Sequence, residues 1–243
     1  MKSKQKPLEA LTLQFASSDR YQENMDRLLS YIDAYQDKDL IVAPEVCLTG
    51  FDYAHMATAA KFSAKALKTL KKTIDRQIVV TTFILEEAES FVNQAVVIHK
   101  HKIVHRQNKV KLFKLSGEDL YFKEGKKKRI QCFEIEGVTY AILICFELRF
   151  KELWKQIEGA DVVLIPARWG KERKNHLEIL SRALAVMNQC YVVLSNSVNG
   201  DMAGSSSIIS PFGTYVADDR LESIEGTIDF REIKKMRRYI TLE

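Results

Sequence analysis

Tyr140-Ala-Ile-Leu-Ile-Cys145-Phe-Glu-Leu-Arg-Phe150 is an apolar run that ends in one cysteine and then turns abruptly to charge. The run has the length and branched character of a buried strand, and the charged stretch after it reads as the start of a helix. A thiol at such a junction points out of the sheet beside backbone N–H groups, where a thiolate is favoured and an oxyanion can be held. Two similar junctions elsewhere carry a carboxylate and an ammonium group. Together they point to an enzyme with a cysteine nucleophile.

The same alternation of strand and helix extends in both directions. Leu8–Phe15 reads as a strand, and Met25, Leu28, Leu29, Ile32 and Tyr35 mark one face of a helix. Asp39–Pro44 is a short strand with Glu45 at its end, followed by a helix carrying Ala59, Phe62, Ala66 and Leu70 on one face. Gln77–Leu85, Phe91–His99 and Lys102–Arg106 read as strands, the last two joined through His99-Lys-His101. Residues 107–129 lack periodicity, and irregular segments of that length in compact domains are often functional.

Strands return at Ile130–Ile135 and Val138–Ile144, joined by Glu136-Gly137, and a helix from about Arg149 leads to the strand Asp161–Pro166. Residues 172–188 are helical by pattern, with Leu177, Leu180, Leu184 and Met187 on one face. Tyr191–Ser195, Ser206–Ser210 and Tyr215–Ala217 complete the strands, and a basic helix at 230–238 closes the chain. No repeat or linker interrupts this order, so residues 1–243 read as one domain. Helix pairs flanking two groups of strands argue for a layered α/β sandwich, although periodicity does not separate that from a doubly wound sheet.

Composition narrows the partners. Hydrophobic residues make up 46% of the chain, and no apolar run approaches the ~20 residues that cross a bilayer. The basic start Met-Lys-Ser-Lys-Gln-Lys is followed by alternating polarity rather than an apolar core, so a signal peptide is rejected and the cytoplasm is expected. Cys47, Cys132, Cys145 and Cys190 form no C-x-x-C pair, and no histidine spacing beside them suits zinc. The net charge of +5 is spread along the chain except for Lys126-Lys-Lys-Arg129, which reads as a solvated turn. No aromatic residues interleave with that run, so nucleic acid is not an expected partner.

A thiol with an ordinary pKa of ~8.5 needs a base or a cation beside it to react at neutral pH. His99, His101 and His105 cluster at a hairpin and His55 opens a helix, which leaves His176 as the histidine that could form a dyad with Cys145. A buried carboxylate can serve instead, and Glu45 leaves the carboxyl end of Ile41-Val-Ala-Pro44, where open α/β sheets place their sites. The ammonium candidate is Lys109 in Arg106-Gln-Asn-Lys-Val-Lys-Leu-Phe113, with Lys111 and Lys114 as competitors that spacing does not exclude.

These segments, in the order Glu, Lys, Cys, resemble the nitrilase (carbon–nitrogen hydrolase) superfamily over nearly the whole chain. The resemblance rests on Ala-Pro-Glu45-Val-Cys-Leu-Thr-Gly-Phe, Asn-Lys109-Val-Lys-Leu-Phe and Ile-Cys145-Phe-Glu-Leu-Arg-Phe. It implies a four-layer α-β-β-α sandwich, pairing of two copies into a dimer, and a Glu45–Lys109–Cys145 triad. Glu118, in Gly-Glu-Asp-Leu-Tyr-Phe-Lys-Glu-Gly, matches a second family glutamate. Pro166-Ala-Arg168-Trp169 resembles the family's pocket-lining segment, and His176 matches a histidine of the amidase-like members. Arg182-Ala183, Asn188-Gln189, Asn196 and Gly204–Gly213 match further downstream. Within the superfamily Cys-Phe-Glu-Leu-Arg-Phe is most similar to the amidase branch that includes omega-amidases.

The implied chemistry is covalent acyl transfer on a small carboxamide without metal or organic cofactor. Glu45 acts as base, Cys145 as nucleophile, Lys109 and the backbone N–H of Phe146 as oxyanion donors, and Glu118 orients Lys109. An omega-amidase-like substrate is a dicarboxylic monoamide, for which Arg168 supplies a cation, with Trp169 and His176 also in the substrate-binding set. The alternatives with the same triad are an N-carbamoyl hydrolase or a nitrilase, and outside enzymes a non-catalytic basic scaffold. This chain departs from the family at Lys111, Lys151, Arg168, Gly170 and Met187. Arg168 and Met187 bear on the substrate, because they alter the charge and shape expected of the pocket.

Overall fold

The computed structural model describes residues 6–126, 128 and 130–241. Residues 1–5 of the amino-terminal basic stretch, and Lys127 and Arg129 of the basic run, lie outside the described residues. The first half of the chain runs β1 (Leu8–Leu13), α1 (Tyr21–Ala34), β2 (Leu40–Val42), α2 (Met56–Thr73), β3 (Ile78–Glu87), β4 (Ser90–His99) and β5 (Lys102–Asn108). After a short helix α3 (Glu118–Tyr121) come β6 (Phe133–Ile135), β7 (Val138–Ile142), α4 (Lys151–Gln156), β8 (Val162–Ala167) and α5 (Lys174–Met187). The chain closes with β9 (Tyr191–Asn196), β10 (Ser207–Ile209), β11 (Tyr215–Ala217), β12 (Ser223–Ile228) and α6 (Phe230–Tyr239).

The strands form two six-stranded sheets, ordered β12-β1-β2-β3-β4-β5 and β11-β10-β9-β8-β7-β6. Each has a parallel centre built by strand–helix–strand crossovers: β1-β2-β3 in one and β7-β8-β9 in the other. Antiparallel hairpins extend the edges. The turns of β3–β4 (Ala88-Glu89) and β4–β5 (Lys100-His101) have positive φ at both central residues, the geometry whose twist matches the flanking strands.

The alternation of side chains in the first sheet shows why two layers of strands are needed. Ala10, Leu40, Val42, Ile78, Val80, Ala95 and Val97 pack into the core shared with the second sheet. Their neighbours Leu11, Leu13, Ile41, Val79, Val96 and Ile98 pack instead against Met25, Leu28, Ile32, Leu67 and Leu70 of α1 and α2. Both faces are apolar, so each must be covered, and burying each Leu or Ile contributes ~1.5–3 kcal/mol. The second sheet is covered likewise by Leu153, Leu177, Leu184 and Ile233 of α4, α5 and α6. The result is an α-β-β-α sandwich, which resolves the choice that periodicity left open. Thr12 Oγ1 donates to the Leu194 carbonyl at 2.7 Å and Ser195 Oγ to that of Leu13 at 2.5 Å, tying the sheets across the core.

Several expectations need correction. Strand β12 was absent from the sequence reading; its Ser-Ile-Glu-Gly-Thr-Ile pattern pairs antiparallel with β1 and covers that edge. Gly226 of β12 leaves room for β10 of the other sheet, since a Cβ there would lie 3.0 Å from Ile208 Cδ1. Ile130–Cys132 and Leu143–Ile144 lie outside β6 and β7. The segment after the cysteine is a one-turn 3₁₀ helix at Cys145–Arg149 before α4 begins. Met187 is 61% exposed rather than on the packed face of α5, which instead buries Leu177, Ser181, Leu184 and Ala185. Among the described residues no helix is long and apolar enough to cross a membrane.

Candidate active site

Glu45 and Cys145 occupy equivalent places in the two sheets, just beyond the carboxyl ends of β2 and β7. At both points the chain turns sharply: Val46 has φ +43° and Cys145 has φ +51°. Positive φ in such residues costs ~1–3 kcal/mol, so the surroundings must hold it in place. Val46 N–H donates to Thr82 Oγ1 at 2.7 Å. On the other side the fully buried Glu147 carboxylate accepts from Ile144 N at 2.7 Å and from Val110 N at 2.6 Å. Glu147 therefore ties the turn bearing Cys145 to the loop bearing Lys109. Glu45 N–H donates to the Ala167 carbonyl at 3.2 Å, joining the ends of β2 and β8 across the sandwich.

Lys109 leaves β5 and is buried completely, at 1% exposure. Its Nζ donates to Glu45 Oε1 at 2.8 Å and to Glu118 Oε1 and Oε2 at 2.8 and 2.9 Å. Both carboxylates are likewise buried. The first turn of α3 carries Glu118, whose Oε2 also accepts Phe113 N–H at 2.6 Å. Asn93 Nδ2 donates to Glu45 Oε1 at 2.8 Å and reaches Glu118 Oε1 at 3.4 Å. Lys111 pairs with Glu152 at 3.1 Å and Lys114 is exposed, so of the three candidate lysines it is Lys109 that meets Glu45.

Burial raises the Cys145 thiol well above the ordinary cysteine value; the Glu45 charge raises it further, and Lys109 works in the opposite direction. The shift favours the thiol over the thiolate in the resting site. Burial opposes the Lys109 charge, but Glu45 and Glu118 hold the ammonium well above its ordinary value. Burial raises Glu118, with Lys109 lowering it and Glu45 raising it. Glu45 Oε2 is buried and has no hydrogen-bond partner, which leaves it free for a proton.

Beside Cys145 lies a small pocket. Of the expected residues, Phe146, Arg168 and Trp169 line it; His176 does not. His176 is exposed on α5, with Nδ1 2.9 Å from Arg149 Nη2, and no histidine lines the pocket. Arg168 Nη1 and Trp169 Nε1 are buried without partners. Met187, exposed on α5, does not line the pocket either.

Sequence reading missed Asn93, Glu147, Phe113, Arg149 and Arg173. Phe113, Arg149 and Arg173 also line the pocket. Glu147 and Arg149 were within the quoted motif, and a polar Asn93 inside an apolar strand was the available signal for the third buried partner. Among the described residues no group of three or more His, Cys, Asp or Glu side chains is disposed to hold a metal.

Residues 12–238 match the family model described as carbon-nitrogen hydrolase. The 2-oxoglutaramate amidase of Bacillus subtilis (strain 168) is 31% identical, covering 83% of this chain and 82% of its own. The omega-amidase YafV of Escherichia coli (strain K12) is 28% identical over 76% of this chain and 74% of its own. Among solved structures, XC1258 from Xanthomonas campestris, described as a CN-hydrolase superfamily protein with an arsenic adduct in its active site, superposes with a TM-score of 0.87. It is 20% identical, and the match covers 97% of this chain and 96% of that one.

Proposed function

The chain belongs to the carbon–nitrogen hydrolase family, and on that premise we propose that this amide-hydrolysing enzyme is an omega-amidase-like hydrolase working through a Cys145 thioester. The observation that carries the reading is the buried Glu45–Lys109–Glu118 network beside Cys145 at the pocket. Glu45 takes the thiol proton as the thiolate attacks the amide carbon. Protonation of Glu45 removes the charge that holds one Lys109 N–H, which frees that donor for the new oxyanion. The Phe146 N–H, in the first turn of a helix, supplies a second donor. Glu45 returns the proton to the leaving nitrogen, the C–N bond breaks, and ammonia departs. Water then gives a proton to Glu45 and attacks the thioester; the C–S bond breaks and the thiolate recovers its proton. Glu118 holds Lys109 throughout without meeting the substrate.

The relatives named for 2-oxoglutaramate and omega-amide hydrolysis support a small carboxamide with a distal carboxylate. Arg168, whose Nη1 lacks a partner beside Cys145, supports the same reading as the group that pairs with it. The test is ammonia release from succinamate, a ureido acid and a nitrile, beside Cys145→Ala, with mass spectrometry of the acid-quenched enzyme. An acyl adduct on Cys145 from succinamate supports the reading; release that survives Cys145→Ala sinks it.

The unit of assembly in this reading is a homodimer. Val186, Met187, Phe212, Tyr215 and Val216 are exposed apolar residues where the end of α5 meets the β10–β11 turn. A cluster of this kind on a surface marks an interface.

A further inference from the structure

The pocket holds more cationic charge than one distal carboxylate requires. Arg168 lies deep, close enough to Glu45 and Asp201 to feel their charges. Arg149 and Arg173 line the same pocket, each against an aromatic face: Arg149 over Trp169 at 4.7 Å and Arg173 over Phe113 at 5.1 Å. Stacking fixes the planes of both guanidinium groups while leaving N–H edges available, the arrangement suited to gripping a carboxylate or phosphate. The His176 ring holds Arg149 from behind. The carboxylate nearest to Arg173 in its ion pairs is Glu172, 4.0 Å away on a 93% exposed side chain. Arg149 and Arg173 repel one another, and among the described residues no acidic side chain lines the pocket to relieve them.

From this we infer that the enzyme selects amides carrying two separate anionic groups, one reached by Arg168 and a second gripped between Arg149 and Arg173. The inference rests on the amidase reading and extends it to the substrate class. A single anion at Arg168 would leave Arg149 and Arg173 facing one another uncompensated in a pocket walled by Phe113, Phe146 and Trp169, where a charge is felt more strongly than in water. The natural substrate is thus the monoamide of an acid with three acidic groups. A reaction that releases or transfers only ammonia would leave a product with all three ionised.

The full-length enzyme is assayed for ammonia release with butyramide, succinamate, the monoamide of propane-1,2,3-tricarboxylic acid, and 3-phosphonopropionamide, which places two charges on one group. The tricarboxylic monoamide should exceed succinamate in kcat/KM by about tenfold or more, through KM. Arg173→Gln and Arg149→Gln should each reduce that ratio about fivefold or more by raising KM for the tricarboxylic monoamide. Equal kcat/KM for one and two carboxylates overturns the inference, as does an Arg173→Gln variant that loses kcat on every amide with the ratio intact. A phosphonate that outperforms the tricarboxylic monoamide overturns two separate groups in favour of one doubly charged head.

A second measurement separates this failure from that of the amidase reading: protection of Cys145 from iodoacetamide by propane-1,2,3-tricarboxylate against succinate. If no amide is cleaved but the tricarboxylate protects at about one-tenth the concentration of succinate, the reaction has been misread and the anion site stands. Equal protection overturns the anion site itself.

Discussion

Lys109 Nζ lies 2.8 Å from Glu45 Oε1, with both side chains almost wholly out of water. The two follow strands of the first sheet that are not neighbours, β2 and β5, with β3 and β4 between them. Glu118 and Asn93 add hydrogen bonds that help this buried pair to persist, Asn93 at Glu45 Oε1 and Glu118 at the Lys109 ammonium.

Removing the ammonium leaves Glu45 and Glu118 as uncompensated neighbours. Lys109→Met is expected to lose ~3–5 kcal/mol of stability, read from urea unfolding, together with activity. A variant as stable as wild type would show that the network does not hold the charges that its geometry implies.

Glu45→Gln separates the charge of Glu45 from its work as a base. The Glu45 charge raises the Cys145 pKa, so its removal should leave alkylation by iodoacetamide as fast as in wild type or faster. Amide turnover should nonetheless fall by about 10²–10⁴, the usual worth of a general base. Parallel losses in both rates would argue that Glu45 only shapes the site.

Glu147 supplies a pH dependence with a definite sign. Burial pushes its carboxyl up to about 7, against the hydrogen bonds from Ile144 and Val110 that lower it. Its folded pKa lies above the ordinary carboxyl value, so its contribution is fully present below about pH 4.5 and is lost as pH rises through about 7, by at most ~3 kcal/mol. Urea unfolding at pH 5 and pH 8 should show wild type losing stability with pH, and Glu147→Gln a flatter profile from a lower start. The lower start follows because the carboxamide presents an NH₂ where one backbone N–H now donates. Identical profiles would remove Glu147 as the titrating group.

Met187→Glu places a charge in the exposed apolar cluster at the end of α5. Sedimentation should show wild type as a dimer and the variant shifted toward monomer, with unchanged circular dichroism. A wild-type monomer at micromolar concentration would reject this face as an interface.

The strands and helices were largely legible, because each buried face imposes its own period: two along β1–β5, and three to four along α1, α2 and α5. Where the signal failed, another rule had won. β12 carries Gly226 and exposed residues on one face, as an edge strand does, so its alternation was weak. Met187 fits the helical period of α5 but falls at its last turn, beyond the packed stripe.

The two strand–helix–strand halves, and the places of Glu45 and Cys145 just beyond their strand ends, can be read along the chain, because local periodicity and chain breaks are written in neighbouring residues. Which lysine meets Glu45, the presence of Asn93 and Glu147 in the site, and the sharing of one pocket by three arginines follow from packing alone. Those facts depend on which sheets stack and at what register. Such relations join residues as far apart as Glu45 and Lys109 or Phe113 and Arg173, and packing in three dimensions, not spacing along the chain, sets them.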